Sequence, residues 1–492
     1  METMRATWDV IVLGGGTAGL FAGIAAARLG AKTLIVERGG HLGGNAATGM
    51  PLCGFFDGDG VQVVRGIPQE FVDRAVQLKG GRGHVHFNDV DRWISSGVSI
   101  EPETFKYIAF EKVEEAGCHL WLYTTFARGI AEGAYVHAVE VVNKAGVLRL
   151  TGKVFVDASG DADLAASVGV PFECGGGTRQ QAVTCIFRVS NVNLPAVERF
   201  MQEKINTDGK TPWKFENSSL RNSFRYWIPW KIFPEYAEKF PRQFGVIYNG
   251  TPGDIFINCT HTAIDSLDPD DITRGTIRLR RQAVEVLEFL KRHVPGFEDA
   301  YLAHVYDLGV RESRRIIGEY TLTLEDMISR REFDDVVAMG AYPPDLHDAH
   351  GGDILIHAKG WSKIHQDTGI PNNPGYQIPL RCLLPRKVEN LLVAGRCISA
   401  TFEAQSGTRG MGPCSAMGQA AGTVAALAAK QDVSLRALSF REVQQALLKE
   451  SAYLGKRFEN AGVARAVAEI PRIPQVRATP TSDTQRRASW EP

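Results

Sequence analysis

Three glycines, Gly14, Gly16 and Gly19, stand at the spacing G-x-G-x-x-G, and an acid, Glu37, follows them about 20 residues on. This arrangement suits the binding of a dinucleotide. The first glycine permits a tight turn, the second lets the backbone approach a pyrophosphate, and the third lets helix and strand pack closely. Thr17 and Ala18 open a helix whose free N–H groups and dipole favour phosphate. The Glu37 carboxylate is placed to accept from a ribose hydroxyl. The elements needed to position these residues are also legible. Asp9–Leu13 is a short apolar run of the kind that forms a strand buried on both faces. Thr17–Leu29 is rich in alanine and reads as a helix, and Thr33–Val36 is a second strand. Strand, glycines, helix, strand and terminal acid in that order distinguish the motif from an ordinary turn.

Past the second strand, Arg38-Gly39-Gly40-His41-Leu42-Gly43-Gly44-Asn45 carries another glycine pair. This resembles the glutathione-reductase-type flavoproteins, where such a pair lies against the cofactor near the pyrophosphate, and the resemblance implies FAD. Further on, Val154-Phe-Val-Asp157-Ala-Ser-Gly160-Asp161-Ala-Asp163 runs from a strand through a sharp turn into a helix. Asp161 is a good N-cap by type. The turn is also similar to the Asp-Ala-Thr-Gly-Asp turn of the FAD-dependent oxidoreductase family, which makes Gly160 and Asp161 a second cofactor contact. Gly309-Val-Arg311-Glu312-Ser-Arg314-Arg315 resembles a Gly-Val-Arg-Glu-x-Arg-Arg segment of that family. Its arginines read first as ion-paired with Glu312 and Glu319, and second as a grip on a substrate carboxylate.

Asn390–Arg396 is an apolar strand ending in Gly395-Arg396, and it resembles the closing strand of the glutathione-reductase-type fold. Thr401–Gly422 then leads into an alanine-rich helix reaching about Ala429, with Pro413 at its start. Its N-terminus is expected to face the flavin N1/C2 carbonyl region. Gly412 and Ser415 on this helix, with Ala127 in an earlier β-rich run, complete the expected cofactor contacts. Gly418, Ala421, Gly422 and Ala425 permit close packing on the sheet or the cofactor. Roughly half the chain carries the resemblance.

A bound flavin would perform the redox step, leaving the protein to bind, orient and move protons. There is no C-x-x-x-x-C after the first glycine loop, as a disulfide reductase would need, and no second G-x-G-x-x-G for a separate NAD(P)H domain. Gly395-Arg396 stands where aromatic hydroxylases carry Gly-Asp. The reading is hydride exchange between a small organic substrate and flavin N5, in a dehydrogenase or oxidase. Oxygen, a quinone or an electron-transfer protein would complete the cycle. A monooxygenase and an electron-transfer subunit are the alternatives, the latter lacking a cysteine cluster for an iron–sulfur centre. His347, in Pro343-Pro-Asp345-Leu-His347-Asp348-Ala-His350, is the candidate general base. The two histidines and two aspartates of that loop are a weak metal pattern, and no metal is assigned. Arg409 is the candidate for holding a substrate carboxylate or oxyanion. Cys53 follows the flavin loop and is a candidate for the flavin's surroundings, its first reading being a buried structural thiol; His41 is a conceivable covalent tether, noncovalent FAD being preferred.

The chain of 492 residues is 44% hydrophobic and 23% charged, the composition of an ordinary globular protein with two or three domains. A formal net charge of −1 provides no global field for nucleic acid. This disfavours an RNA-modifying flavoprotein. The early apolar run is too short for a signal peptide, no charge-free membrane-length run is present, and the eight cysteines form no C-x-x-C pair; a cytoplasmic location is expected. The expected fold is α/β, a Rossmann-like FAD-binding domain of parallel sheet plus β-meander, with an inserted α+β substrate domain. The expected boundaries are 1–185 and 381–435 for FAD binding, 186–380 for the substrate or cap domain, and 436–492 for a C-terminal helix and flexible tail. Phe126–Ala131, Tyr135–Val142 and Val147–Leu150 are the meander strands, laid across one sheet face. Gly80–Gly97 reads as irregular. A long helix over Asp271–Pro295 presents Ile277, Val284, Leu287 and Leu290 on one face. The aromatic stretch Pro212–Tyr248 is a packed core or a lid over the flavin, and the tail hints at a homo-oligomer.

Overall fold

The computed structural model describes residues 7–86, 94–176, 180–205, 226–227, 245–247, 251–347 and 375–459. Most of the aromatic stretch, His350 and the tail lie outside them.

The short aliphatic runs become the parallel half of a seven-stranded sheet. β1 (Thr7–Leu13) lies between β2 (Thr33–Val36) and β9 (Gly146–Asp157), β6 (His119–Trp121) flanks β2, and β19 (Leu391–Val393) joins β9. Val10, Ile11 and Val12 are fully buried, as strands covered on both faces must be. In register, Trp121 pairs with Val36, Val36 with Leu13, Leu13 with Asp157, and Asp157 with Val393. The five strands therefore end in one line. The loops that follow them leave from a single carboxyl edge, where open parallel sheets take their ligands.

The meander differs from its sequence reading. Val147–Leu150 and Val154–Asp157 are one continuous strand, β9. Its first half pairs antiparallel with β8 (Tyr135–Asn143), which carries β7 (Thr125–Glu132), and its second half pairs parallel with β1. Gly152 in the middle is a close approach rather than a break, since a Cβ there would sit 3.0 Å from Ile11 Cδ1. The meander thus extends the sheet edge instead of crossing its face.

Two helices cover the parallel half. α1 (Thr17–Arg28) follows the glycine loop, and α9 (Met411–Gln431) packs directly on it. A Cβ at Gly418 would lie 2.1 Å from the Ala18 carbonyl oxygen, and one at Gly422 2.1 Å from that of Ala22. The small residues of α9 therefore serve helix–helix contact at backbone distance with α1, which the sequence reading had set against sheet or cofactor. α2 (Ile67–Gln77), α3 (Pro102–Glu115) and α10 (Phe440–Lys449) contribute to the same core. Gly80–Gly97 is more ordered than expected. Its described part holds β4 (Gly81–His86) and the start of β5 (Ser96–Ile100), which pairs with β4 and with β3 (Leu52–Cys53). Buried Val98 and Ile100, just beyond Gly97, anchor β5 and with it the end of this stretch.

A second core belongs to an antiparallel sheet of order β12 (Tyr226–Trp227), β13 (Gly245–Ile247), β14 (Ile255–Asn258), β11 (Phe187–Ser190) and β15 (Tyr301–Val305). α5 (Leu194–Ile205) and α6 (Pro269–His293) accompany it, and Asp268 caps α6 by accepting from the Asp270 and Asp271 N–H groups. The buried face of α6 is Leu279, Ala283, Val286, Leu287 and Leu290, whereas Ile277 and Val284 are exposed. The stripe is rotated from the expected one because Ala283 and Val286 complete a better helical row. Alternation divides this sheet. Phe187, Val189, Ile255 and Ile257 face the helices, while Ile186, Phe256 and Tyr306 cluster on the other side.

The chain between the second core and β19 returns to the first. β16 (Arg314–Ile316) pairs with β10 (Phe172–Cys174), and β17 (Val336–Gly340) pairs with β18 (Tyr376–Pro379). α4 (Asp163–Ser167), α7 (Leu324–Ile328) and α8 (Phe402–Thr408) are short connectors. Leu322, Val336, Tyr376 and Leu380 are buried with the α1 and α9 side chains. Among the described residues no helix is long and apolar enough to cross a membrane.

Candidate functional site

A cavity of about 710 Å³ opens at the carboxyl edge of the parallel sheet, within the range of small-molecule and cofactor pockets. Gly14, Gly16, Thr17 and Ala18 form part of its wall. A Cβ added at Gly16 would meet no atom within 4 Å, so this backbone faces open space, while one at Gly19 would lie 1.8 Å from the Gly14 carbonyl oxygen. Gly19 therefore serves packing and does not reach the cavity. α1 begins at Gly16 with no side-chain cap and no acid in its first turn, which leaves its N–H groups for an anion.

Glu37 lines the cavity with Arg38, Gly44 and Asn45. One Glu37 oxygen accepts from the Gly15 N–H and the other from the Gly39 N–H, each at 2.6 Å. A carboxylate has lone pairs left after two such bonds. Gly43 sits behind the wall. Its N–H donates to the Gly15 carbonyl at 2.8 Å and its carbonyl accepts from the Thr17 hydroxyl at 3.0 Å, so the second glycine pair is clamped to the first loop.

Gly160, Asp161, Gly395 and Arg396 come from neighbouring strand ends and are joined by the arginine. Its Nε donates to the Gly160 carbonyl, one terminal nitrogen to the Val310 carbonyl, and the other to the Asp161 carboxylate, each at 2.6 Å. Burial works against both ions, yet their attraction keeps the Asp161 pKa below and the Arg396 pKa above the ordinary values. Asp161 is not the N-cap its type suggested. Ala162 holds that position, and Asp157 accepts instead from the Ser159 N–H at 3.1 Å and the Ala165 N–H at 2.9 Å. Complete burial raises the Asp157 carboxyl to about 6.

Ala127, Gly412 and Ser415 also fall outside the lining. Ala127 is exposed, at the irregularity between Phe126 and Arg128 on β7; Thr124, Thr125 and Phe126 line the cavity instead. A Cβ at Gly412 would stand 2.5 Å from the Cys53 carbonyl oxygen, so that glycine is a packing position. The buried Ser415 hydroxyl donates to the Gly412 carbonyl at 2.6 Å. From this helix Met411 and Cys414 reach the wall with Gly410, the uncapped N-cap of α9.

The same cavity takes in a compact group of polar side chains. His347 Nε2 stands 3.0 Å from one Asp345 oxygen. The other Asp345 oxygen accepts from the Tyr342 hydroxyl at 2.7 Å and lies 3.3 Å from an Arg409 terminal nitrogen, which also donates to the Asp345 carbonyl. Burial lowers the His347 pKa to about 3, helped by the positive charge of Arg311 and opposed by Asp345. The His347–Asp345 contact is therefore the hydrogen bond of a neutral imidazole. Burial, with Asp345 adding to it, pushes the Tyr342 hydroxyl well above its usual range. Buried glutamines support the group. The His347 N–H donates to the Gln181 side-chain oxygen at 3.3 Å, Gln181 donates to Gln405 at 3.3 Å, and Gln405 donates to the Arg311 and Arg396 carbonyls.

His347, Arg409 and Cys53 are thus brought together on one wall. Cys53 is buried, its thiol 3.5 Å from the Pro51 carbonyl. Asp345, Tyr342 and Arg311 also line the cavity; Arg311 belongs to the arginine-rich segment, whereas Asp345 and Tyr342 carry no role of their own in the sequence reading. For Asp345 the signal is its place two residues before His347, in the loop that supplies the candidate base and the weak metal pattern of two histidines and two aspartates. Among the described residues no group of three ligands is poised for a metal. Of the arginine-rich segment, Arg315 is buried against Glu312, and Arg314 meets Asp163 at 2.9 Å. Glu319 lies elsewhere, paired with Arg436 at 2.6 Å.

Two helix starts without caps, an open glycine turn, a carboxylate beyond the second strand and the partnerless buried Nε of Arg409 make a donor set that fits a flavin dinucleotide. Solved structures similar to the chain include a geranylgeranyl bacteriochlorophyll reductase-like protein from Thermoplasma acidophilum, at 13% identity and a TM-score of 0.43, over 91% of this chain and 85% of that one. The flavin-dependent brominase Bmp2 is similar at 12% identity and a TM-score of 0.46, over 90% and 83%. The p-nitrophenol 4-monooxygenase PnpA from Pseudomonas putida DLL-E4 is similar at 11% identity and a TM-score of 0.46, over 91% and 85%. No curated protein sequence matches the chain significantly. The family described as FAD dependent oxidoreductase is matched over residues 9–447. The chain belongs to that family, and it is an FAD-dependent oxidoreductase.

Proposed function

We propose that the chain is a dehydrogenase or oxidase that removes hydrogen from a small organic substrate, with His347 accepting the proton. The observation that carries this reading is one continuous cavity, lined both by the glycine loops and by a neutral, buried imidazole bonded to a carboxylate. FAD supplies the two-electron acceptor when bound. Gly14, Gly16, Thr17 and Ala18 hold its pyrophosphate, Glu37 its ribose, and Arg38, Gly44, Asn45, Gly160, Asp161, Gly395 and the start of α9 complete the cradle.

With Nε2–H directed at Asp345, the Nδ1 lone pair of His347 is the accepting site. Asp345 fixes this tautomer and stabilises the imidazolium formed on proton transfer. Arg409, anchored to Asp345, faces the developing negative charge on the substrate. Cys53 shapes the wall beneath them. Oxygen, a quinone or an electron-transfer protein returns the cofactor to its oxidised state.

Anaerobic mixing of the FAD-loaded protein with a panel of metabolites tests the reading. It requires that at least one substrate bleach the oxidised-flavin absorbance. Reoxidation in air then marks an oxidase, and its absence a dehydrogenase. Reduction by NAD(P)H, with product formed only in oxygen, would establish the monooxygenase alternative and overturn the proposal.

A further inference from the structure

We infer that the substrate is an organic acid and that Arg311 takes its carboxylate. The inference rests on reading this cavity as the substrate site and names the chemical class the site accepts.

Arg311 lies on the cavity wall, and among the described residues its guanidinium makes a single hydrogen bond, to the Ala182 carbonyl. Among the described residues it forms no ion pair. The nearby charged side chains that act on it are Arg409 and Asp345. Asp345 is already committed to Arg409, Tyr342 and His347. With His347 neutral and Glu312 paired with Arg315, two guanidinium groups share one carboxylate among the described residues, an excess of one positive charge. Burial and the neighbouring arginine lower the Arg311 pKa to about 10, as expected for a cation without its counterion. A partly buried charge without a counterion is costly. A protein that keeps one in a ligand cavity gains if the ligand brings the opposite charge.

The surroundings hold Arg311 in place. The Arg396 guanidinium grips the Val310 carbonyl immediately before it, and Gln405 grips the carbonyl of Arg311 itself. The backbone upstream is fixed by the reciprocal Thr184–Gly309 bonds at 2.7 and 3.2 Å. A planar guanidinium fixed at its base, with terminal N–H groups to spare, is suited to bidentate recognition of a carboxylate. Arg409 stands close enough to share the anion, and its buried Nε has no hydrogen-bond partner among the described residues. An acid held here would present a neighbouring carbon to His347.

Binding is measured without turnover, so the result is independent of whether His347 acts as a base. The FAD-loaded protein is titrated with acetate, acetamide and inorganic phosphate, followed by the perturbed flavin absorbance and by calorimetry. Acetate is expected to bind roughly ten- to a hundredfold more tightly than its neutral isostere acetamide. Arg311→Gln should abolish that preference, and Arg311→Lys should restore part of it, with flavin content and melting temperature reporting that each variant is folded. Equal binding of acetate and acetamide by the unmodified protein, which needs no variant, would overturn the inference. Unchanged acetate binding by Arg311→Gln would do so too. Preference for phosphate over acetate would contradict the organic-acid assignment.

Discussion

The imidazole of His347 and the carboxylate of Asp345 meet at 3.0 Å, and that one carboxylate also receives the Tyr342 hydroxyl and the Arg409 guanidinium. At least three donors converge on a single acceptor group that is 5% exposed. Asp345 therefore organises the wall on which the proposed chemistry takes place.

Asp345→Asn makes this dependence measurable. An amide offers one acceptor and one donor to three donors, so at least one contact becomes donor against donor. The rate of substrate oxidation should fall roughly a hundredfold or more, as expected when a base loses its orienting carboxylate. Removing a buried charge from Arg409 should also destabilise the fold by about 3 kcal/mol. Steady-state kinetics and thermal melts of the FAD-loaded variant check both; a variant with unchanged rate and melting temperature would show that Asp345 is not the organising group.

The buried imidazole gives the pH dependence a definite sign. His347 titrates near 3 in the folded protein, below its ordinary 6.5. As a base it stays active on acidification, so kcat/KM should not show an acid limb with a pKa near 6.5. Stability moves the other way. Below 6.5 the unfolded chain binds a proton at this histidine that the folded chain refuses, so stability falls as pH drops from 6.5 towards 3 and is untouched above. The loss from this group between pH 7 and 5 is about 2 kcal/mol. Denaturant midpoints at the two pH values should differ less in His347→Gln than in the unmodified protein.

Gly16 and Gly19 separate cofactor binding from folding. Gly16 has φ −66°, which alanine accepts, and open space where a Cβ would go. Gly16→Ala should leave the cofactor-free protein as stable as before and weaken FAD about tenfold or more, because the methyl group takes the room the pyrophosphate needs. Gly19→Ala collides with the Gly14 carbonyl at 1.8 Å and should lower the melting temperature of the cofactor-free protein as well. Flavin titration beside thermal melts distinguishes them. Similar behaviour of the two variants would mean that Gly16 does not face the cofactor.

The glycine-loop end of the cavity was legible because its pattern is local. Gly14, Gly16, Thr17, Ala18 and Glu37 lie within one β–α–β unit, where spacing along the chain fixes position in space. Gly395 and Arg396 were found from a strand ending, yet the partners of Arg396, Gly160, Asp161 and Val310, come from distant segments that no spacing reveals. The role of Asp345, and the nearness of Arg311 to it, escape the sequence for the same reason, since they depend on α8 and the loop after β15 converging. Ala127 lies one residue beyond the lining run Thr124–Phe126, at an irregularity of β7 that spacing along the chain does not reveal. The small residues of α9 were recognised as contact residues, but only the fold identifies α1 as what they contact.

Anaerobic stopped-flow reduction tests the central claim most directly, comparing unmodified protein with His347→Ala, both loaded with one FAD per chain and mixed with the same substrate. The account predicts equal FAD binding and flavin bleaching slower in the variant by roughly a hundredfold or more. Bleaching at the same rate in both proteins would contradict it.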